Sequence, residues 1–249
     1  LRAYYASGVQ KVSRRVTVSV RPASPAASKG SFMISLDSST PASRLVTASS
    51  VDIPMSVLRL YATNEPIELR QIALQLDGSK RFEDYGKITL WDGSTKVGEA
   101  AVTDRISFNA LIQPRAFIIP KDGDKLLTIK ADLAGIGVNQ PGRAGDTLGV
   151  NYDGDSAQGT YGVGQSSATN IYPTSSADTS AQPAYLFRGM PTISSLAVPS
   201  TSLFDASRKV LYRFSVSAPA NTNGVSLYKT TFNIAMTGDD GPDDFSVTN

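Results

Sequence analysis

Apolar and polar residues alternate along most of this chain, and this period-two pattern restricts its fold more than any other feature. Residues 67–76 read IELRQIALQL, which is typical of a strand with one buried face. Further β-rich runs lie at Val57–Ala62, Lys87–Trp91, Lys96–Val102, Arg105–Ile112, Phe117–Ile119, Lys125–Leu133, Thr147–Tyr152, Lys209–Ser217 and Val225–Met236. Turn sequences such as Asp92-Gly93-Ser94 separate them. The pattern predicts an all-β fold of tandem β-sandwich domains, immunoglobulin-like or jelly-roll-like.

The composition excludes several kinds of chemistry. The 249 residues include no Cys and no His, so a Ser-His-Asp triad, a Cys nucleophile, a His or Cys zinc site and a disulfide are all ruled out. A formal net charge of +2, without a cluster of Lys and Arg, argues against nucleic acid as a partner. No apolar run approaches the roughly 18 residues of a membrane span, so we expect none in this segment.

Two parts of the chain resemble each other in the order of their motifs. Val57–Thr63 matches Leu211–Ser217, and Leu69–Leu76 matches Leu227–Ile234 after a short insertion. We therefore predict a complete β-sandwich repeat at 32–188, and the start of a second, truncated repeat at 189–249.

The N-terminal part has a different organisation. Residues 1–20 are predicted to form the last hairpin of a preceding immunoglobulin-like domain or, alternatively, an N-terminal arm. Residues 21–31 are rich in Pro, Ala and Ser, which predicts a linker.

The chain resembles a class of bacterial proteins in its hydrophobic pattern and in several short sequence motifs. Val57–Leu76, Ile88–Gly93, Val97–Ala100, Asp124–Leu133 and Asn151–Gly164 are similar to the repeat units of large Ser/Thr-rich bacterial surface proteins. The N-terminal hairpin separately resembles the end of a bacterial immunoglobulin-like domain. The resemblance implies an exported, modular protein that serves as a surface coat, fibre or adhesin.

These observations favour a structural function without catalysis. We expect a component of an extracellular cell-surface assembly, a surface layer or fibre, in which copies of the protein associate through strand edges and loops. The alternative is an adhesin or carbohydrate-binding array that binds surface glycans. In that alternative Trp91, the only tryptophan, would stack on a sugar ring. A core position for Trp91 is the competing interpretation. A third interpretation of the function is a set of accessory domains of a larger secreted hydrolase.

One acidic segment has ligand spacing suited to calcium. Asn151, Asp153 and Asp155 carry side-chain oxygens at alternate positions, although the segment lacks the other residues of an EF-hand. Asp146 or Asp178 could complete such a site. The competing interpretation is a solvated Asp-Gly turn at the end of a strand.

Acidic catalysis has weak support in the sequence. Glycoside hydrolysis requires two carboxyl groups about 5–9.5 Å apart. The alternation places Glu68 on the polar side of its strand, and Glu65 precedes a proline in a bend, so neither is predicted to pair with a buried acid. The Gly/Ser/Thr-rich stretch Ser156–Ser180 is expected to be a long surface loop.

Overall fold

The computed structural model describes residues 29–102, 106–156, 159–199, 210–218 and 229–233. The predicted N-terminal hairpin at 1–20 and most of the 21–31 linker lie outside these residues, as does most of Val225–Met236. In the described part, the helical structure consists of a short 3-10 turn at Phe82–Asp84, and no helix is long and apolar enough to cross a membrane.

The described residues contain fifteen strands. They are β1 Ser31–Leu36, β2 Arg44–Thr47, β3 Ile53–Thr63, β4 Ile67–Gly78, β5 Tyr85–Asp92, β6 Thr95–Ala101, β7 Ser107–Ile112, β8 Ile118–Ile119, β9 Gly123–Leu133, β10 Thr147–Tyr152, β11 Tyr161–Gly164, β12 Asn170–Ile171, β13 Ala184–Phe187, β14 Thr192–Leu196 and β15 Arg213–Ser217.

The first thirteen strands form one large curled sheet. Its main path runs β1-β3-β9-β5-β6-β7-β4-β10-β13-β2, with β8 and β11 also paired to β4 and β12 paired to β11. The strand pairs in this sheet are antiparallel except for β13 with β2. The predicted all-β, sandwich-like fold is confirmed. Strands β14 and β15 pair with each other in a separate two-stranded sheet.

Curling brings the two halves of the large sheet face to face around a shared core. The Ser56 hydroxyl of β3 donates to the carbonyl of Val150 in β10 at 2.7 Å. The Tyr85 hydroxyl of β5 donates to the carbonyl of Gly149 and accepts its N–H, both at 3.1 Å. The core between the halves includes Phe32, Leu58, Leu60, Ile72, Leu74, Leu76, Ile88, Leu90, Leu127, Ile129, Val150 and Leu186.

The predicted long loop at Ser156–Ser180 is wrong in part, because it contains β11 and β12. Strand β11 pairs with the first half of β4, and its Gly162 makes this approach close. A Cβ atom at Gly162 would lie 2.5 Å from the Ile67 side chain and 2.9 Å from the Glu68 carbonyl oxygen. The glycines that suggested a loop are therefore the residues that allow a strand to pack here.

The alternation of β3 provides a test of the sandwich. Leu60 is fully buried, whereas its neighbour Tyr61 points to the opposite, exposed face. We expect Leu60→Ala to lower the free energy of unfolding by about 2–5 kcal/mol, because it removes core contacts and leaves a cavity. Tyr61→Ala should lower it by less than about 1 kcal/mol. Equal losses in chemical denaturation would contradict the described packing.

Candidate functional site

Three carboxylates meet at one end of the large sheet, where the chain leaves β10. Asp153 and Asp155 follow the strand directly, and Asp178 comes from the segment between β12 and β13. One carboxylate oxygen of each lies within 4.8 Å of the others. Asp153 is buried, while Asp155 and Asp178 are exposed. Three convergent carboxylate oxygens with access to solvent are a donor set suited to a hard divalent cation.

Backbone hydrogen bonds connect the two segments that carry these acids. The N–H of Tyr152 donates to the Thr179 hydroxyl at 2.9 Å, and the N–H of Thr179 donates to the Tyr152 carbonyl at 3.2 Å. The N–H of Gly154 donates to Oδ1 of Asp178 at 2.8 Å. These bonds bring Asp178 next to the acidic turn, although it is distant in sequence.

The electrostatics of the cluster differ from one carboxyl group to the next. Burial raises the pKa of Asp153, and the neighbouring carboxyl groups of Asp155 and Asp178 raise it further. The pKa of Asp178 is lowered, chiefly by a hydrogen bond from Gln75. A bound cation would relieve this repulsion at Asp153.

Two of the residues considered from the sequence lie outside this cluster. Asn151 is buried, and its Oδ1 accepts the N–H of Ala181 at 2.9 Å while its Nδ2 donates to Asp77 at 3.3 Å. Its side chain thereby links β10 to β4 and to the chain before β13. Asp146 lies at the other end of β10, beside Arg81. The structure groups Asp153 and Asp155 with Asp178 rather than with Asn151 or Asp146.

A shallow cleft of about 370 Å³ opens beside the acidic cluster. Its lining is mostly hydroxyl groups and tyrosine rings, contributed by Tyr152, Ser156, Thr160, Tyr172, Ser175 and Ser176, and Asp155 lies at the side of the acidic cluster. The Tyr152 hydroxyl is already used, since it donates to the Ser175 carbonyl at 3.1 Å.

Trp91, the candidate for sugar stacking, is half-buried at the end of β5. Its indole N–H donates to the Thr89 hydroxyl at 2.9 Å, and Nζ of Lys130 lies 3.9 Å from the centre of its ring. This cation–π contact occupies one face of the ring. A sugar would have to use the other face or displace the lysine.

Sequence reasoning missed two buried glutamates that hold a turn in place. Glu65 accepts the N–H groups of Gly30 at 3.0 Å and of Ser166 and Ser167 at 2.8 Å. Burial raises its pKa, but these hydrogen bonds outweigh that effect and lower the pKa to about 2. The carboxylate of Glu65 therefore stays charged and serves as an acceptor for the turn between β11 and β12.

Glu68 was expected on the polar side of its strand, but the structure buries it. It accepts the N–H of Arg115 at 2.5 Å and the side-chain amide of Gln165 at 3.1 Å, and Nε of Arg70 lies 3.1 Å from the same carboxylate. The segments after β7 and after β11 cover this face of β4. The alternation of residues within β4 does not by itself show that these segments bury Glu68.

A third buried carboxyl group, Asp84, holds the long connection between β9 and β10. Its Oδ1 accepts the N–H of Arg143 at 3.0 Å, and Nε of Arg81 lies 3.6 Å from its Oδ2 and 3.1 Å from Asp146. Burial raises the pKa of Asp84 to about 6, and the nearby Asp146 carboxyl group adds to this effect.

Comparisons with protein families and with curated proteins do not assign the chain to a family. No model of a protein family matches the chain, and a search of curated proteins finds no significant similarity.

The raised pKa of Asp84 predicts how stability depends on pH. An unfolded Asp has a pKa of about 3.9, so between roughly pH 4 and pH 6 the folded protein binds a proton that the unfolded chain does not. This contribution to stability is complete below about pH 4 and is lost as the pH rises through about 6. We expect the melting temperature, followed by Trp91 fluorescence, to fall as the pH is raised from about 4 to 6 and to level off above that.

Asp84→Asn is the matched variant for that experiment. The amide oxygen can still accept the Arg143 N–H, but the side chain no longer titrates, so the fall between about pH 4 and 6 should shrink markedly. Exposed Asp52 lies elsewhere, and Asp52→Asn should keep the wild-type profile. An unchanged slope in Asp84→Asn would show that another group causes the dependence.

Proposed function

We propose that this chain is a non-enzymatic structural component of a bacterial extracellular surface assembly, either a surface layer or a fibre. Copies of the protein associate through strand edges and loops. The resemblance of its repeat to bacterial surface proteins supports the location. The observation that carries the proposed self-association is an apolar sheet edge at β2, which has no second strand partner among the described residues.

Strand β2 ends the path of the large sheet, and its pairing among the described residues is with β13. Leu45 of β2 lies directly opposite Tyr185 of β13, and Phe187 follows on the same face. Leu45 is 53% exposed, and Tyr185 and Phe187 are each 38% exposed. Unpaired backbone groups beside an apolar surface are the usual basis of edge-to-edge association.

The opposite end of the sheet is protected. The N–H of Thr174 donates to the Phe32 carbonyl of β1, and the N–H of Ile34 donates to the Ser175 hydroxyl, both at 2.8 Å. The segment Pro173–Ser175 therefore covers the outer side of β1. The contrast between the two ends supports association through β2 rather than through β1.

The buried acids support a function without catalysis. Glu65, Glu68 and Asp84 are each engaged by backbone N–H groups of the protein's own loops. Their role in the described residues is to fix connections between strands. A structural role of this kind accounts for their burial without invoking catalysis.

Leu45→Lys tests the edge. A charge on this strand should prevent association of neighbouring copies while leaving the fold intact, because edge lysines are a common natural protection against pairing. The control is Leu111→Lys, since Leu111 is 63% exposed but lies on β7, which has β4 and β6 on its two sides. Sedimentation and electron microscopy of the purified chain measure the assembly.

Wild-type protein and Leu111→Lys should form ordered sheets or filaments, and Leu45→Lys should remain dispersed. Assembly of Leu45→Lys would exclude the β2 edge as the contact. Dispersed wild-type protein, together with quenching of Trp91 fluorescence by glycans, would favour the adhesin alternative.

We further propose that calcium stabilises the domain at Asp153, Asp155 and Asp178. Support comes from the convergence of their oxygens and from the repulsion that a cation would relieve at Asp153. Because disulfides are absent, such a cross-link between the end of β10 and the segment before β13 would stabilise this end of the sheet.

Calcium at 100 times its dissociation constant should stabilise the protein by about 2.7 kcal/mol, and a chelator should reverse the effect. Asp153→Asn should abolish the response without lowering stability in chelator, since it removes a buried charge. Asp122→Asn, on an exposed turn elsewhere, should respond as wild type does. A melting temperature indifferent to calcium and chelator would refute the site.

A further inference from the structure

The pairing of the two-stranded sheet allows it to be compared with the first hairpin of the large sheet. In β1 and β3, Ser31 lies opposite Thr63, and Ser35 lies opposite Arg59. In β14 and β15, Thr192 lies opposite Ser217, and Leu196 lies opposite Arg213. The sequence repeat aligns Arg213 with Arg59, and the pairing then makes Leu196 the counterpart of Ser35 and Thr192 the counterpart of Ser31.

The two hairpins also carry their apolar residues on the same face. In the first hairpin, the inward face is buried and consists of Phe32, Ile34, Leu58, Leu60 and Ala62. The corresponding face of the second hairpin consists of Ile193, Ser195, Tyr212, Phe214 and Val216. Four of these five residues are apolar or aromatic, and the exception is Ser195, which stands where the first hairpin has Ile34.

A third element completes the correspondence. The sequence repeat aligns Phe232 with Leu74 of β4, which belongs to the buried core of the first domain. In the structure the ring centre of Phe232 lies 5.9 Å from that of Tyr212 and 6.0 Å from that of Phe214. Their counterparts Leu58, Leu60 and Leu74 are all fully buried in one core.

We infer that β14, β15 and the segment 229–233 form a second copy of the arrangement that β1, β3 and part of β4 make in the domain at 31–187. The apolar face of the β14–β15 hairpin is the docking surface for the segment that carries Phe232. This holds whether or not copies of the chain assemble.

The junction between the two copies is short. Only residues 188–191 separate β13 from β14, and Nε of Arg188 donates to the Ile136 carbonyl of the first domain at 3.1 Å. The second copy therefore follows the first without a long linker.

The test compares one substitution at two neighbouring positions of the full chain. Ser195→Ile restores the residue type of Ile34 on the docking face, whereas Ser194→Ile places the same side chain on the opposite face, where the first hairpin has exposed Met33. Hydrogen exchange of the amides in 213–217 reports on the second hairpin. Trp91 fluorescence reports separately on the first domain.

Ser195→Ile should slow exchange in 213–217 at least about fivefold, and Ser194→Ile should change it by less than about twofold. Phe232→Ala should accelerate exchange about tenfold, and Phe232→Leu, which introduces the residue of the first copy, should retain most of the protection. The melting followed by Trp91 should be unchanged in all four variants.

Equal effects of Ser194→Ile and Ser195→Ile would overturn the inference, and so would an unchanged exchange rate in Phe232→Ala. These readouts are independent of sheet or filament formation. Failure of assembly with slowed exchange in Ser195→Ile would reject the proposed function and keep the second copy.

Discussion

The structure depends on the closure of one curled sheet onto itself around a common core. Strands β3 and β5 of one half face β10 of the other, and the polar contacts between them are made by Ser56 and Tyr85. Both hydroxyl groups are buried, and each is paired with a β10 backbone group, so the facing halves carry no unpaired polar atom at these points. Any strand with one apolar face can add to this core, which explains how a chain without disulfides forms so large a sheet.

Carboxylates replace covalent links where the connections leave this sheet. Glu65 and Glu68 hold the turn after β11, and Asp84 holds the connection before β10. Their environments differ: hydrogen bonds keep Glu65 charged, with a pKa of about 2, whereas burial and a neighbouring acid raise the pKa of Asp84 to about 6. Acid therefore acts on the two connections in opposite directions. It strengthens the connection held by Asp84 in mild acid, and it weakens the turn held by Glu65 only at much lower pH.

The sequence predicts the strands that bury one face. It does not predict which side chains are buried or contacted by segments that are distant in sequence. Residues 67–76 and 125–133 were predicted as strands and lie in β4 and β9, because their alternation is local. The burial of Glu68 depends on segments that are distant in sequence. The sequence offers both Asp146 and Asp178 as partners of the acidic turn, and the fold brings Asp178 to Asp153. The side chain of Asn151, a ligand candidate by its spacing, is hydrogen-bonded to Asp77 and Ala181. Alternate spacing in the sequence predicts which side chains lie on the same face of a strand. The residues that pack against that face are determined by the tertiary structure.

The two ends of the sheet differ in their cover, and this difference bears on the assembly that we propose. Pro173–Ser175 is hydrogen-bonded along the outer side of β1. Among the described residues β2 pairs with β13 alone, and the apolar residues Leu45 and Tyr185 lie at this edge. In the proposed assembly, edge pairing is therefore directed to β2. Because one edge that pairs with its own copy joins only two molecules, a sheet or fibre built through β2 also needs the loop contacts that the proposal includes.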